Sequence, residues 1–170
     1  MATGLVVFGP FKVPYDRVGA VKVIAHKHGT KFWKDPGVAA LQLKQGCYFF
    51  AVKAGRNSTP WYVGQAKKGF KQETFTKHKR GRYNHALTHA RHGTPVLFFV
   101  ALSGTKRKVP KKEVNHMEKE LIQDALAMNT RLCNTQHTKN LPRWTIRGVV
   151  RSGRGKPSKA AKSFAKMMGL

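Results

Sequence analysis

Thirty-three lysines and arginines against seven aspartates and glutamates give this chain a net charge of +26. Whatever it folds into must hold together against that self-repulsion, and so positive a surface needs a polyanion to offset it. Nucleic acid is the first candidate and an anionic membrane the second. At 170 residues, 41% hydrophobic and 10% aromatic, the chain supports one compact domain with a sizeable core, which excludes a wholly disordered basic tail. No apolar run approaches the roughly 20 residues that span a bilayer. The opening MATGLVVFGPFKV has no charged leader and breaks its apolar run at Gly9-Pro10, so it does not read as a secretory signal. Cys47 and Cys133 are too few for a disulfide framework and sit among apolar neighbours. They read as free, buried thiols of a cytoplasmic protein.

Positive charge is spread along the chain, at +5 over residues 1–45, +13 over 46–140 and +8 over 141–170. The acids are not spread: Glu113, Glu118, Glu120 and Asp124 fall within twelve residues. Strands are expected around 5–8 and 18–25, over CYFFAVKA (47–54), over WYVGQA (61–66), over PVLFFVAL (95–102) and over TIRGVVR (145–151). GRNSTP (55–60) has turn chemistry, so 47–66 reads as a hairpin. Helical spacing predicts a possible short helix over VAALQLK and helices over about 82–92, 111–129 and 157–168. The order predicts a small α/β (α+β) domain with a mostly antiparallel central sheet flanked by helices. Residues 1–45 form a β-rich N-terminal extension, 46–140 the core, and 141–170 a basic C-terminal strand and helix.

The helix at 111–129 places Val114, Met117, Leu121, Ile122 and Met128 in one arc, with Glu118 inside it. Glu120 points to nearly the opposite side. A carboxylate on a buried face costs several kcal/mol unless it is paired or holds a cation. Glu118 is therefore either a salt-bridged structural residue or an anchor for a divalent ion whose shell is completed by water and phosphate oxygens.

Gly46-Cys47-Tyr48 and Tyr62-Val63-Gly64 each set a tyrosine beside a glycine on two strands expected to be neighbours. They are followed by the basic turn AKKGFK and a segment bearing Lys77, His78, Lys79, Arg80 and Arg82. MEKELI (117–122) and RLCN (131–134) come later. In this order the segments resemble the GIY-YIG endonuclease superfamily over about 46–134. The resemblance implies a three-stranded antiparallel core, a divalent cation (Mg²⁺ or Mn²⁺) held by Glu118, and hydrolysis of phosphodiester bonds, in DNA rather than RNA. It also implies that Tyr48 or Tyr62 activates or orients water, that Asn134 supports the site, and that a cation neutralises charge in the transition state. Where the family usually carries an arginine, this chain has Gln72. The nearest equivalent is Lys79 with Tyr83 one turn on; Arg82 and His78 are the rivals. Lysine is a point charge rather than a bidentate fork, so the exchange is not conservative for phosphate geometry.

Lys67, Lys68, His78 and Arg80 are expected to contact nucleic acid, as are Lys106, Arg107 and Lys108 of KRKVPKK. His85, His89 and His92 recur at helical spacing without a nearby cysteine or carboxylate, so they read as facing solvent or phosphate rather than zinc. Trp33, Trp61 and Trp144 can stack on bases, although Trp61 beside the YVG strand reads as sheet packing. The basic tail reads as an extension of the substrate footprint, with an apolar stripe at Ala160, Ala161, Phe164 and Met167 that would dock it on the domain. Two other readings stand beside the nuclease: a non-catalytic DNA- or RNA-binding protein, and a basic secreted or membrane-active protein.

Overall fold

A computed structural model describes residues 3–104, 108–134, 144–150 and 156–170. Its centre is the hairpin of β4 (Gly46–Ala54) and β5 (Asn57–Ala66), joined antiparallel on the β4 side to β6 (Thr94–Ala101). β1 (Thr3–Lys12) extends this three-stranded unit antiparallel to β6, and β7 (Trp144–Ile146) adds parallel to β1. The order is β5-β4-β6-β1-β7, which leaves β5 at one edge. The protein is thus a mixed α+β fold around a mostly antiparallel sheet.

β4 and β6 are buried over nearly their whole lengths, as apolar strands covered on both faces must be. Alternation sends Cys47, Phe49 and Ala51 to one face, where α5 (Lys111–Met128) and α6 (Lys159–Met168) cover them. Tyr48, Phe50 and Val52 point the other way, toward α1 (His26–Lys34), α2 (Pro36–Ala39), α3 (Phe70–Glu73) and α4 (Lys77–His89). The result is a sheet between two helical layers, each with its own aromatic core.

Several elements differ from the sequence reading. The run at 18–25 is not one strand: Gly19, at φ 59°, turns it into a separate hairpin of β2 (Asp16–Val18) and β3 (Val21–Val23). α1 was not expected, because HKHGTKFWK has few apolar residues and a central glycine. It is held by Phe32 and Trp33, both buried, and by close packing of Gly29 on Phe75, where a β-carbon would lie 2.7 Å from the Phe75 Cβ. VAALQLK gives only the single turn of α2. The hairpin loop shrinks to Gly55-Arg56, since Asn57 to Pro60 already pair with β4. α4 begins at Lys77, five residues early, where the Thr76 side chain caps it. The strand over 145–151 ends at Ile146, with Val150 bridging back to that residue. Met128 leaves the expected buried arc and is 42% exposed, as the last residue of α5 with its side chain beside Gly169.

α6 is amphipathic in the way its stripe implies: Ala161, Phe164, Met167 and Met168 are buried, while Lys159, Lys162 and Lys166 stay exposed. Phe164 packs edge-on to Phe49 at 4.8 Å and against Phe98 at 5.7 Å. The helix is therefore part of the core as well as a carrier of charge. Phe164→Ala should destabilise the fold by about 3–5 kcal/mol, enough to lower Tm by roughly 10 °C. Lys162→Ala should stay within about 0.5 kcal/mol. Parallel thermal melts check both.

Candidate active site

The tyrosine pair owes its geometry to two glycines. Tyr48 faces Gly64 across the β4–β5 ladder, and a β-carbon on Gly64 would overlap the Tyr48 phenol. Gly46, at φ 151°, lies so close to the Val100 carbonyl that a β-carbon would strike it. Each motif glycine thus makes room for a neighbour. A bulge in β5 between the Phe50–Tyr62 and Ala51–Pro60 pairs lets Trp61 and Tyr62 both join the α4-side core. The rings of Tyr48 and Tyr62 lie 6.3 Å apart, and those of Tyr62 and Tyr83 lie 6.0 Å apart.

α4 supplies the cation. Lys79 Nζ donates a hydrogen bond to the Tyr62 hydroxyl and sits 4.8 Å from the Tyr62 ring centroid and 5.9 Å from that of Tyr48. One turn on, Tyr83 is fully buried, stacks on Phe50 at 4.3 Å and donates to the Thr74 carbonyl at 2.7 Å. Its hydroxyl is therefore committed to the fold. The Tyr48 hydroxyl is buried beside that of Tyr83. Burial, reinforced by the phenols of Tyr83 and Tyr62, pushes its pKa well above the ordinary 10.0, so it keeps its proton.

Glu118 approaches from the opposite helical layer. It is half-buried, takes a hydrogen bond from the Gln65 backbone N–H, and lies within electrostatic reach of Lys79, Lys67 and Lys119. Desolvation raises its carboxyl above the ordinary 4.5 and outweighs the pull of Lys79, Lys67 and the Gln65 amide. Asn134 grips the same edge strand: its Oδ1 accepts from Val63 N–H at 2.8 Å and its Nδ2 donates to Val63 O at 2.6 Å. Cys133 N–H donates to Trp61 O at 2.8 Å and Asn129 Nδ2 to Pro60 O at 2.8 Å. Residues 129–134 and Glu118 together satisfy the backbone of β5 that would otherwise be an open sheet edge.

The structure gathers Tyr48, Tyr62, Lys67, Lys79, Tyr83 and Glu118 around the Tyr62 end of β5, with Asn134 on its backbone. Arg82 is half-buried one turn from Lys79 and acts electrostatically on Cys133, whose thiol is raised by burial and lowered by Arg82. Both cysteines are free and buried. The remaining basic residues are dispersed. Lys68, His78 and Lys108 are exposed, and His85 packs on His89, which stacks on Trp61 at 6.3 Å. Arg80 turns away to bond the Phe75 carbonyl. Gln72 is exposed on that same far side, so Lys79 takes the place beside the tyrosines. Lys106 and Arg107 lie outside the described residues. α4 ends at His89, so His92 does not share its face, and among the described residues no three His, Cys, Asp or Glu side chains converge on a metal position.

Gln65 was missed by the sequence reading. Its N–H binds Glu118, and its side-chain Oε1 is buried without a partner. The signal was strand alternation, which puts the residue after Gly64 on the face opposite Tyr48. Among the described residues, no helix is long and apolar enough to cross a membrane. No family model matches the chain, and no match was found among curated proteins or solved structures.

The raised Glu118 carboxyl carries a consequence for stability. A native pKa above the unfolded one means that the folded state holds the proton more tightly, so stability falls as pH rises from about 4.5 through the native pKa. Glu118→Gln should therefore raise Tm at pH 7, and the advantage should vanish below the ordinary carboxylate pKa. Melts across this range decide it; a residue kept for its ion pairs would give the opposite sign, a variant that is less stable at pH 7.

Proposed function

We propose that the protein is a divalent-metal-dependent endonuclease of the GIY-YIG type, hydrolysing phosphodiester bonds of nucleic acid, with DNA as the favoured substrate. The observation that carries this reading is the junction of Lys79, Tyr62 and Glu118 from three separate elements. Glu118 keeps a half-buried carboxylate there at an energetic cost, and an isolated binding surface would have no use for it.

The donor set suits Mg²⁺ or Mn²⁺: a lone carboxylate, with an unpartnered amide oxygen on Gln65, the residue whose backbone N–H meets that carboxylate, in surroundings rich in cations that attract phosphate. Glu118 would hold the ion, which when bound would polarise the scissile phosphate and stabilise the leaving oxygen. Tyr62 is the better of the two tyrosines for accepting a proton from the attacking water. Lys79, hydrogen-bonded to its oxygen, would stabilise the phenolate form that takes this proton and becomes the neutral phenol as hydroxide attacks. Tyr48 holds its own proton and lies beside Lys79, so it would support the site rather than act as the base. Lys67 adds positive charge on the Glu118 side, and Asn134 fixes the strand that carries Tyr62.

The test is incubation with supercoiled plasmid in Mg²⁺ or in chelator. Cleavage should need the metal and vanish in Glu118→Gln, while Glu120→Gln should remain close to wild type. Tyr62→Phe should lower the single-turnover rate by about two to four orders of magnitude, as loss of a general base does. Tyr48→Phe should lower it less. Tight DNA binding with no cleavage in any metal would leave a non-catalytic binding protein.

A further inference from the structure

A second basic feature lies on the other side of α4. Between α1 and the first turn of α4 is a cavity of about 510 Å³, within the range of small-ligand sites. Trp33 and Phe75 line it, both nearly buried, with Gly29 packed closely on Phe75. Lys34, Lys71, Lys77 and Arg80 supply its charge, and no acidic residue lines it. Asp35 and Glu73, each next in sequence to a lining residue, accept instead from the Gly37 and Lys68 N–H groups. Both aromatic side chains present little of their surface to the cavity, 4% of Trp33 and 8% of Phe75 being exposed, so the wall is firm and the cations dominate the opening.

We propose that this cavity binds one nucleotide unit of a nucleic-acid strand. The base would lie against the Trp33 and Phe75 wall, and the phosphate would sit against Lys34, Lys77, Arg80 and the first turn of α4. Aromatic surface with a surplus of cations is the chemistry that holds single nucleotides. α4 links the two sites. Lys79 faces Tyr62, and Arg80, one residue and about 100° further round the helix, faces the cavity. Arg80 is held in place by its bond to the Phe75 carbonyl. A strand crossing the start of α4 would meet both. The inference rests on nucleic acid as the ligand, but not on cleavage, and it gives the N-terminal 45 residues a role in gripping the strand.

The experiment is titration of the metal-free protein with deoxyadenosine 5′-monophosphate, deoxyadenosine and inorganic phosphate, followed by calorimetry. The monophosphate should bind about tenfold or more tightly than either fragment, since base stacking and phosphate contacts add. Lys34→Ala with Lys77→Ala, both at exposed positions, should weaken it at least several-fold without moving Tm. A short single-stranded oligonucleotide should compete. Equal affinity for monophosphate and inorganic phosphate, indifference to the lysine pair, or failure of the oligonucleotide to compete would each overturn the proposal. Plasmid cleavage by the same lysine variant is scored separately, so loss of the nuclease reading would not be mistaken for loss of this one.

Discussion

The register of β4 on β5 is the constraint on which the rest of the molecule depends. Tyr48 can lie over the strand only because Gly64 stands opposite, and that pairing sets every neighbour on both strands. A slip of one residue would send Tyr48 and Phe50 to the α5 face and Cys47 and Phe49 to the α4 face. Tyr62 would then lose Lys79, and Phe49 would lose Phe164. Fold and candidate site share one registration, and the motif glycines set it by making room for their neighbours.

An edge strand carries the site, and closing that edge is what brings its parts together. The backbone of β5 takes partners from Asn129, Cys133 and Asn134, and Glu118 receives the Gln65 N–H. A strand left open there would invite pairing with another chain. The same interactions place a carboxylate from one helical layer near a lysine from the other, around the end of the sheet rather than through it. Glu118 is held there although burial disfavours its charge, and its partners only partly offset that cost.

Charge shapes the surface more than the interior. With seven acids for 33 bases, most basic side chains have no acidic partner within the chain. Cohesion comes from the two aromatic cores: Phe49, Phe98 and Phe164 on one face, and Phe32, Phe70, Phe99 and Tyr83 on the other. The lysines and arginines leave the surface strongly positive, and two of them, Lys79 and Arg80, are sorted to different sides of one helix.

The strands at 47–54 and 95–102 and the helices at 111–129 and 157–168 were legible because each carries a continuous or strictly periodic apolar pattern. The two tyrosines and Glu118 were legible as well, as motif residues and as a charge inside an apolar arc. α1 was not, because a nine-residue segment with a central glycine is held by tertiary packing of Phe32 and Trp33 rather than by its own propensity. The sequence by itself determined the charge, the sheet and the residue types of the candidate site. Only the tertiary structure decided that Lys79 rather than Arg82 or His78 meets Tyr62, that Tyr48 is too buried to give up its proton, and that Arg80 belongs to a separate cavity. Those outcomes turn on which side of α4 meets β5 and on what covers each hydroxyl, and both are properties of packed elements rather than of any local pattern in the chain.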